Sequence, residues 1–70
     1  MSIKVSLNGT DIEVTEGLTI QKLLEKEKIK PELVTVELNG AILQKERYAT
    51  LEIASGDTIE ILYYMGGGRE

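Results

Sequence analysis

The sequence lacks histidine, cysteine and tryptophan. Without histidine, the side chain that most often serves as a general base near neutral pH is missing. Without cysteine, the chain has no thiolate nucleophile, disulfide or zinc–thiolate site. Its three serines have no histidine to activate them, and its carboxylates are scattered among lysines as on a solvated surface. We therefore expect no enzyme activity, no metal site and no bound cofactor, with a paired-carboxylate site as the alternative.

Charge and hydropathy exclude two further classes of protein. The chain carries 12 acidic and 8 basic residues, a formal charge of −4, and shows no basic stripe that would attract a phosphate backbone. No apolar run is long enough to cross a membrane, and the first residues alternate apolar and charged side chains rather than forming a signal peptide. We predict a cytoplasmic protein that binds neither nucleic acid nor membrane.

The 70 residues suffice for one small domain, and 41% of them are hydrophobic. Alternating apolar residues predict strands at 2–7 and 11–15, joined at a turn by Asn8-Gly9. Apolar residues spaced by three and four predict a helix at 20–28, which begins after the N-cap Thr19 and ends before Pro31.

The second half of the chain predicts three more strands, at 34–38, 41–43 and 58–64. Asn39-Gly40 forms the turn of a second hairpin, and residues 44–57 are expected to be irregular. Two hairpin-like units with a crossover helix between them predict an α+β fold, the β-grasp or ubiquitin-like arrangement. Its mixed five-stranded sheet carries one main helix on one face.

The core of this fold is predicted from the side of each element that carries apolar residues. Tyr48 and Leu51 are expected to anchor the irregular segment to the core, and Tyr63 is expected to continue the buried face of the last strand. The remaining predicted core residues lie on the strands and the helix: Ile3, Val5, Ile20, Leu23, Leu24, Val36, Ile59 and Ile61.

Leu62 and Tyr64 fall on the opposite face of the last strand, where one helix cannot cover them. They are either scattered surface residues, which are common, or a partner-binding patch. We predict that Leu43 and Met65 extend this patch.

Three consecutive glycines follow at Gly66, Gly67 and Gly68, before Arg69 and Glu70. Because glycine has no side chain to pack, we predict a folded domain over residues 1–65 and a flexible tail over residues 66–70. Such a tail is either a frayed terminus or a segment that enters a narrow site on another protein.

These features together resemble the ThiS family, the sulfur carrier proteins of thiamine biosynthesis. The resemblance covers nearly the whole chain and is carried by the order and spacing of short motifs. These are LNG at 7–9, EGLTI at 16–20, LL at 23–24, VELNG at 36–40, SGD at 55–57 and MGGG at 65–68. The MoaD family of molybdopterin synthase small subunits shares the fold and the glycine end, and it is the second choice.

The resemblance implies a mechanism in which the chain is a substrate and not a catalyst. A ThiF-like activating (E1) enzyme uses ATP to adenylate the terminal glycine carboxylate, and sulfur then displaces AMP to leave a thiocarboxylate. The thiocarboxylate delivers sulfide to a ThiG-like thiazole synthase. The resemblance places the reactive carboxyl group on Gly68, with Gly67 as the fallback.

The family typically ends at the glycine, whereas this sequence continues with Arg69-Glu70. Three explanations are open. A processing protease removes the dipeptide, the dipeptide is foreign to the natural protein, or the chain is a ubiquitin-like modifier or interaction module that carries no sulfur.

Overall fold

The computed structural model describes residues 1–64, and residues 65–70 lie outside the described part. It contains five strands and one α-helix, and two single-turn 3-10 helices at Pro31–Leu33 and Lys45–Arg47. In chain order the elements are β1 (Ser2–Leu7), β2 (Thr10–Thr15), α1 (Ile20–Lys26), β3 (Val34–Leu38), β4 (Ala41–Ile42) and β5 (Thr58–Tyr63). The strand order is β2-β1-β5-β3-β4, with β1 and β5 parallel and the other neighbours antiparallel. The predicted mixed five-stranded β-grasp sheet is confirmed.

Both hairpin turns lie where the sequence predicts them. Asn8 and Gly9 have φ angles of 50° and 83°, and Asn39 and Gly40 have φ angles of 53° and 88°. Two consecutive residues with positive φ form the type I′ turn, which matches the twist of the strands on either side. Because each turn contains only two residues, it fixes the register of the two strands that it joins. In the second hairpin, Leu38 is opposite Ala41.

The asparagines of both turns also hydrogen-bond to the central strand β5. The Ile61 N–H donates to Asn8 Oδ1 at 2.8 Å, and the Thr58 N–H donates to Asn39 Oδ1 at 2.9 Å. The Asn39 carboxamide in turn donates to Asp57 Oδ1 at 3.0 Å. Ser6 and Leu7 are the residues of β1 that pair with β5. Beyond them, the Asn8 side-chain oxygen accepts the hydrogen bond that a backbone carbonyl of a continuing strand would accept. Each turn therefore positions β5 as well as its own hairpin.

The helix begins as predicted but ends two residues early. Thr19 is the N-cap, and its Oγ1 accepts a hydrogen bond from the Lys22 N–H at 3.2 Å. The helix ends at Lys26 because Lys28 adopts a φ of 61°. The Lys28 N–H donates to the Glu25 carbonyl, and the Ile29 N–H donates to the Leu24 carbonyl. This pair of bonds is the Schellman motif, which stops the helix before Pro31 can do so.

Lys28 occupies a backbone conformation that favours glycine, since its Cβ crowds the following carbonyl. We expect Lys28→Gly to raise the free energy of unfolding by about 0.5–1 kcal/mol, measured by urea denaturation. Lys26→Gly, within the helix, is the matched control and should lower it by up to about 1 kcal/mol. A loss of stability in Lys28→Gly would contradict this interpretation.

The core lies between α1 and one face of the sheet. Seven of the eight core residues predicted from the strand and helix patterns are buried, and Ile3 is half-buried against the same cluster. Tyr48 is buried and Leu51 is half-buried, as expected of anchors for the segment between β4 and β5. The buried cluster comprises Val5, Val14, Ile20, Leu23, Leu24, Val34, Val36, Leu43, Tyr48, Ile53, Ile59 and Ile61.

Two predictions about side-chain exposure are wrong. Tyr63 is predicted to be buried with Ile59 and Ile61, but it is 58% exposed although it lies on the same face of β5. It pairs with Val34, the first residue of β3, so it lies at the end of the sheet. Leu43 is buried, since its N–H donates to the Val36 carbonyl and residues opposite each other on antiparallel strands share a face.

Candidate functional site

The candidate site is the end of β5, where the chain leaves the sheet toward the glycine run. Tyr64 is the last described residue, and its N–H donates to the Leu33 carbonyl at 3.1 Å. This bond places the exit of the chain beside the 3-10 helix that precedes β3. Met65, Gly66, Gly67 and Gly68 lie outside the described residues, so their roles stay predictions.

Exposed apolar side chains concentrate around this exit. Among residues 1–64, six large hydrophobic residues are exposed, and Met1 is the one that lies elsewhere. The other five lie on β4, at or directly after the end of β5, or next to the first residue of β3. We call them the exit patch: Leu33, Ile42, Leu62, Tyr63 and Tyr64. The exposure predicted for Leu62 and Tyr64 is confirmed, at 47% and 52%.

Ile42 takes the place that the sequence reasoning assigned to Leu43. Ile42 is 66% exposed and pairs with Glu37, whereas Leu43 packs in the core. Because the two-residue turn at Asn39-Gly40 fixes the register, counting back from it would have put Ile42 on the outer face with Glu37. That signal was present in the sequence, and it was missed.

A shallow pocket of about 150 Å³ joins Ile42 to Tyr64. The lining residues are Val34, Thr35, Ile42, Leu43, Gln44, Lys45, Tyr48 and Tyr64. The pocket therefore places Tyr64, the residue after β5, beside β3 and β4.

The phenol of Tyr64 lies in a cationic and polar environment. Hydrogen bonding from the Thr35 side chain, and then from the Lys45 side chain, lowers the pKa of Tyr64 from its usual value of 10.0, and the positive charge of Lys45 acts in the same direction. The Lys45 ammonium lies 5.6 Å from the centre of the Tyr64 ring. Sequence reasoning did not find Lys45, because no local pattern brings residue 45 next to residue 64.

The outer face of the sheet beside the exit patch is acidic. Glu37 of β3 and Glu60 of β5 are paired directly opposite each other, two register positions from the pair of Thr35 and Leu62 and on the same face of the sheet. Like charges opposite each other on neighbouring strands repel. A basic group on a bound partner would relieve that repulsion, so the electrostatics of this face favour a partner with lysine or arginine around an apolar centre.

The described residues contain no constellation typical of catalysis or metal binding. Within residues 1–64, no group of three or more Asp or Glu side chains is arranged to hold a metal ion. The same part of the chain has no helix long and apolar enough to cross a membrane. What the described residues offer is an exposed apolar surface close to the point where the chain continues toward the glycine run.

Comparison with known proteins finds chains of the same size and fold. The model of the ThiS family matches residues 5–68. The sulfur carrier protein ThiS of Bacillus subtilis is 40% identical over 65 residues, which cover 91% of this chain and 98% of that protein. A crystal structure of the thiamine biosynthesis protein ThiS from Geobacter metallireducens matches with a TM-score of 0.82 and 39% identity, covering 94% of this chain and all of that one.

A larger protein also contains a similar segment. The thiazole synthase of Magnetococcus marinus is 33% identical over 67 residues, which cover 96% of this chain but 21% of the synthase. A segment of this kind therefore occurs within a thiazole synthase polypeptide.

Proposed function

The chain belongs to the ThiS family and is a sulfur carrier protein of thiamine biosynthesis, not an enzyme, and we propose that the carboxyl group of Gly68 is the group that carries the sulfur. One observation carries this proposal. The family match extends from residue 5 to residue 68 and stops before Arg69. The third glycine is the last residue within the family match, which supports it as the carrier position. The match to the ThiS family also favours that family over the alternative, the molybdopterin synthase small subunits.

The proposed reaction has two steps, and this chain supplies one functional group to both. The Gly68 carboxylate attacks the α-phosphate of ATP, which forms an acyl adenylate and releases pyrophosphate. A sulfur nucleophile then attacks the acyl carbon, and AMP leaves with the bonding electron pair. Glycine suits this role because no side chain hinders the acyl carbon or widens the segment. The chain itself binds no cofactor in this scheme, and the ATP is bound by the activating enzyme.

Two partners follow from the scheme, and a third depends on the chain end. A ThiF-like E1 enzyme adenylates Gly68, and a ThiG-like thiazole synthase accepts the sulfur. The similar segment within the Magnetococcus marinus thiazole synthase supports the second partner, since joining carrier and acceptor in one polypeptide raises their local concentration. A processing protease is required where Arg69 and Glu70 are present. We place all these steps in the cytoplasm.

The exit patch is the proposed docking surface for these partners. A glycine segment alone buries too little area for a stable complex, so the folded part must supply binding energy. Leu62 and Tyr64 are exposed, apolar and adjacent to the exit, whereas Leu43 is buried and is removed from the proposed contact set. The acidic pair Glu37 and Glu60 beside them favours a partner with basic residues at the rim of its binding site.

The function is tested by mass spectrometry of the intact protein. A chain ending at Gly68 is incubated with ATP, a sulfide source and its activating enzyme, and the expected product has gained the mass of an oxygen-to-sulfur exchange. Formation of an amide-linked adduct with another protein would identify a modifier instead. A chain ending at Tyr64 is the control, since it keeps the described fold and lacks the glycines.

The docking surface is tested by Leu62→Asp. We expect the affinity for the activating enzyme to fall by more than about tenfold, because a central apolar contact is replaced by a charge that must be desolvated. Affinity is measured by titration calorimetry. Thr15→Asp is the matched control, since it adds the same charge to the exposed edge strand β2, away from the exit patch. Equal affinity of both variants would remove Leu62 from the interface.

A further inference from the structure

Lys45 connects segments that are distant in sequence. Its ammonium nitrogen donates to the Pro31 carbonyl at 2.7 Å and to the Val34 carbonyl at 3.0 Å. These carbonyls lie at the two ends of the turn that leads into β3. An ammonium group has three N–H donors, so two of them are used on the backbone of this turn. The position of the charge is therefore set by main-chain atoms and not by a mobile surface partner.

From this position the ammonium contacts two tyrosine rings. It lies 5.8 Å from the centre of the Tyr48 ring and 5.6 Å from the centre of the Tyr64 ring, within the range of cation–π attraction. Tyr48 is 4% exposed, and its carbonyl accepts a hydrogen bond from the Gln21 N–H of α1. Lys45 thus connects the Tyr48 ring, which is buried in the core, to the ring of Tyr64, which precedes the glycine run by two residues.

Apart from Lys45, the Thr35 side chain also interacts with the Tyr64 phenol, and few other groups of residues 1–64 hold this residue. It lies one residue beyond the end of β5, its ring is half-exposed, and one backbone hydrogen bond, to the Leu33 carbonyl, holds its main chain. Residues 65–68 can extend roughly 13 Å from this point. Any loosening of Tyr64 therefore displaces the point from which residues 65–68 must reach the partner's site.

We infer that Lys45 is a positioning residue for the activation of Gly68. By holding Tyr64 against the β3 turn and the Tyr48 ring, it fixes the place and direction from which the carboxyl group enters the site of the adenylating partner. This inference rests on the proposed function, because it presupposes that Gly68 is adenylated. It assigns no contact with ATP or with the reacting carboxyl group to Lys45.

A positioning role differs in its kinetic signature from a docking role. Loss of a docking contact raises KM for the carrier, whereas loss of alignment lowers kcat once the complex has formed. Misplacement of a reacting group by about an ångström can lower a rate by about 100-fold, so a partly loosened attachment should have a smaller but measurable effect. The separation of kcat from KM is therefore the decisive measurement.

The test uses chains ending at Gly68 in an ATP–pyrophosphate exchange assay with the activating enzyme. Lys45→Met removes the charge and keeps the length of the side chain, whereas Lys45→Arg keeps the charge and the stacking on aromatic rings. Lys26→Met is the matched control, because it removes a lysine from the exposed end of α1. We expect Lys45→Met to lower kcat about tenfold with KM changed less than about twofold, and Lys45→Arg to restore most of the rate.

A second measurement reports on the contact itself. The protein is prepared with tyrosine labelled with carbon-13 at the ring Cζ, and the titration of Tyr64 is followed through its Cζ chemical shift by NMR. Lys45→Met should raise the pKa of Tyr64 toward 10.0, and Lys45→Arg should leave it lowered. Lys45→Gln, whose amide can still donate to a carbonyl, serves for both measurements if Lys45→Met does not fold.

The outcomes separate this inference from the proposed function. If the chain that ends at Gly68 and carries no substitution supports no exchange, the proposed function and the inference are both overturned. Full exchange by that chain and an unchanged kcat in Lys45→Met would overturn the inference alone. A defect confined to KM would mean that Lys45 is a docking residue, which also contradicts the positioning role.

Discussion

A chain ending at Gly68 is expected to support ATP–pyrophosphate exchange with its activating enzyme, and the same chain with Arg69 and Glu70 attached is expected to support none. Adenylation requires a carboxylate as the nucleophile. With the dipeptide in place, the Gly68 carbonyl is part of an amide, and the free carboxylate belongs to Glu70. The long Arg69 side chain would also have to enter a channel suited to glycine. We therefore expect measurable exchange with the chain ending at Gly68 and only background exchange with the chain ending at Glu70.

A third chain, ending at Gly67, controls for length. If Gly68 is the carrier residue, removal of one glycine shortens the reach by about 3.5 Å and should lower the rate. Mass spectrometry of each chain after the assay shows whether the activating enzyme preparation has trimmed it. Equal exchange by the untrimmed Glu70 form would refute the assignment to Gly68, and a faster Gly67 form would move the carrier position by one residue.

Leu24→Ala is expected to lower the free energy of unfolding by about 2–5 kcal/mol. Leu24 is completely buried between α1 and the sheet, so the change removes apolar contacts and leaves a cavity. A domain of this size has a total stability of about 4–10 kcal/mol. The substitution should therefore remove a large part of the stability, and it should be visible in the midpoint of urea denaturation.

Leu62→Ala is the matched control for this measurement, since it deletes the same atoms from a side chain that is 47% exposed. It should cost less than about 1 kcal/mol, because about half of the Leu62 surface already contacts water and its removal leaves no enclosed cavity. A small loss in Leu24→Ala, similar to that of the control, would mean that the helix does not present this face to the core.

The local features of the fold could be read from the sequence because their causes are local. Apolar alternation has a period of two and the helical stripe a period near 3.6, so each marks the side of its element that faces the core. The Asn-Gly pairs predict their turns for a similar reason, since few other residues tolerate two positive φ angles in succession. The end of the helix was misplaced because Lys28, a residue with no special preference for positive φ, terminates it.

The candidate site could be predicted in part. The glycine run, Leu62 and Tyr64 are neighbours in sequence, and the exposure of both side chains followed from strand parity. The choice of Leu43 over Ile42 failed because the short strand β4 ends before alternation alone can assign its faces. Its register against β3 decides, with Ile42 opposite Glu37.

The sequence by itself determined the elements, the turns, most of the core and the glycine run. These depend on spacing along the chain and on the conformational preferences of single residues. The tertiary structure alone decided that β5 lies between β1 and β3, that the asparagines of both turns bind its backbone, and that Lys45 lies against Tyr64. Such contacts join residues up to 53 positions apart. Their geometry depends on how the elements pack against one another, which no local pattern encodes.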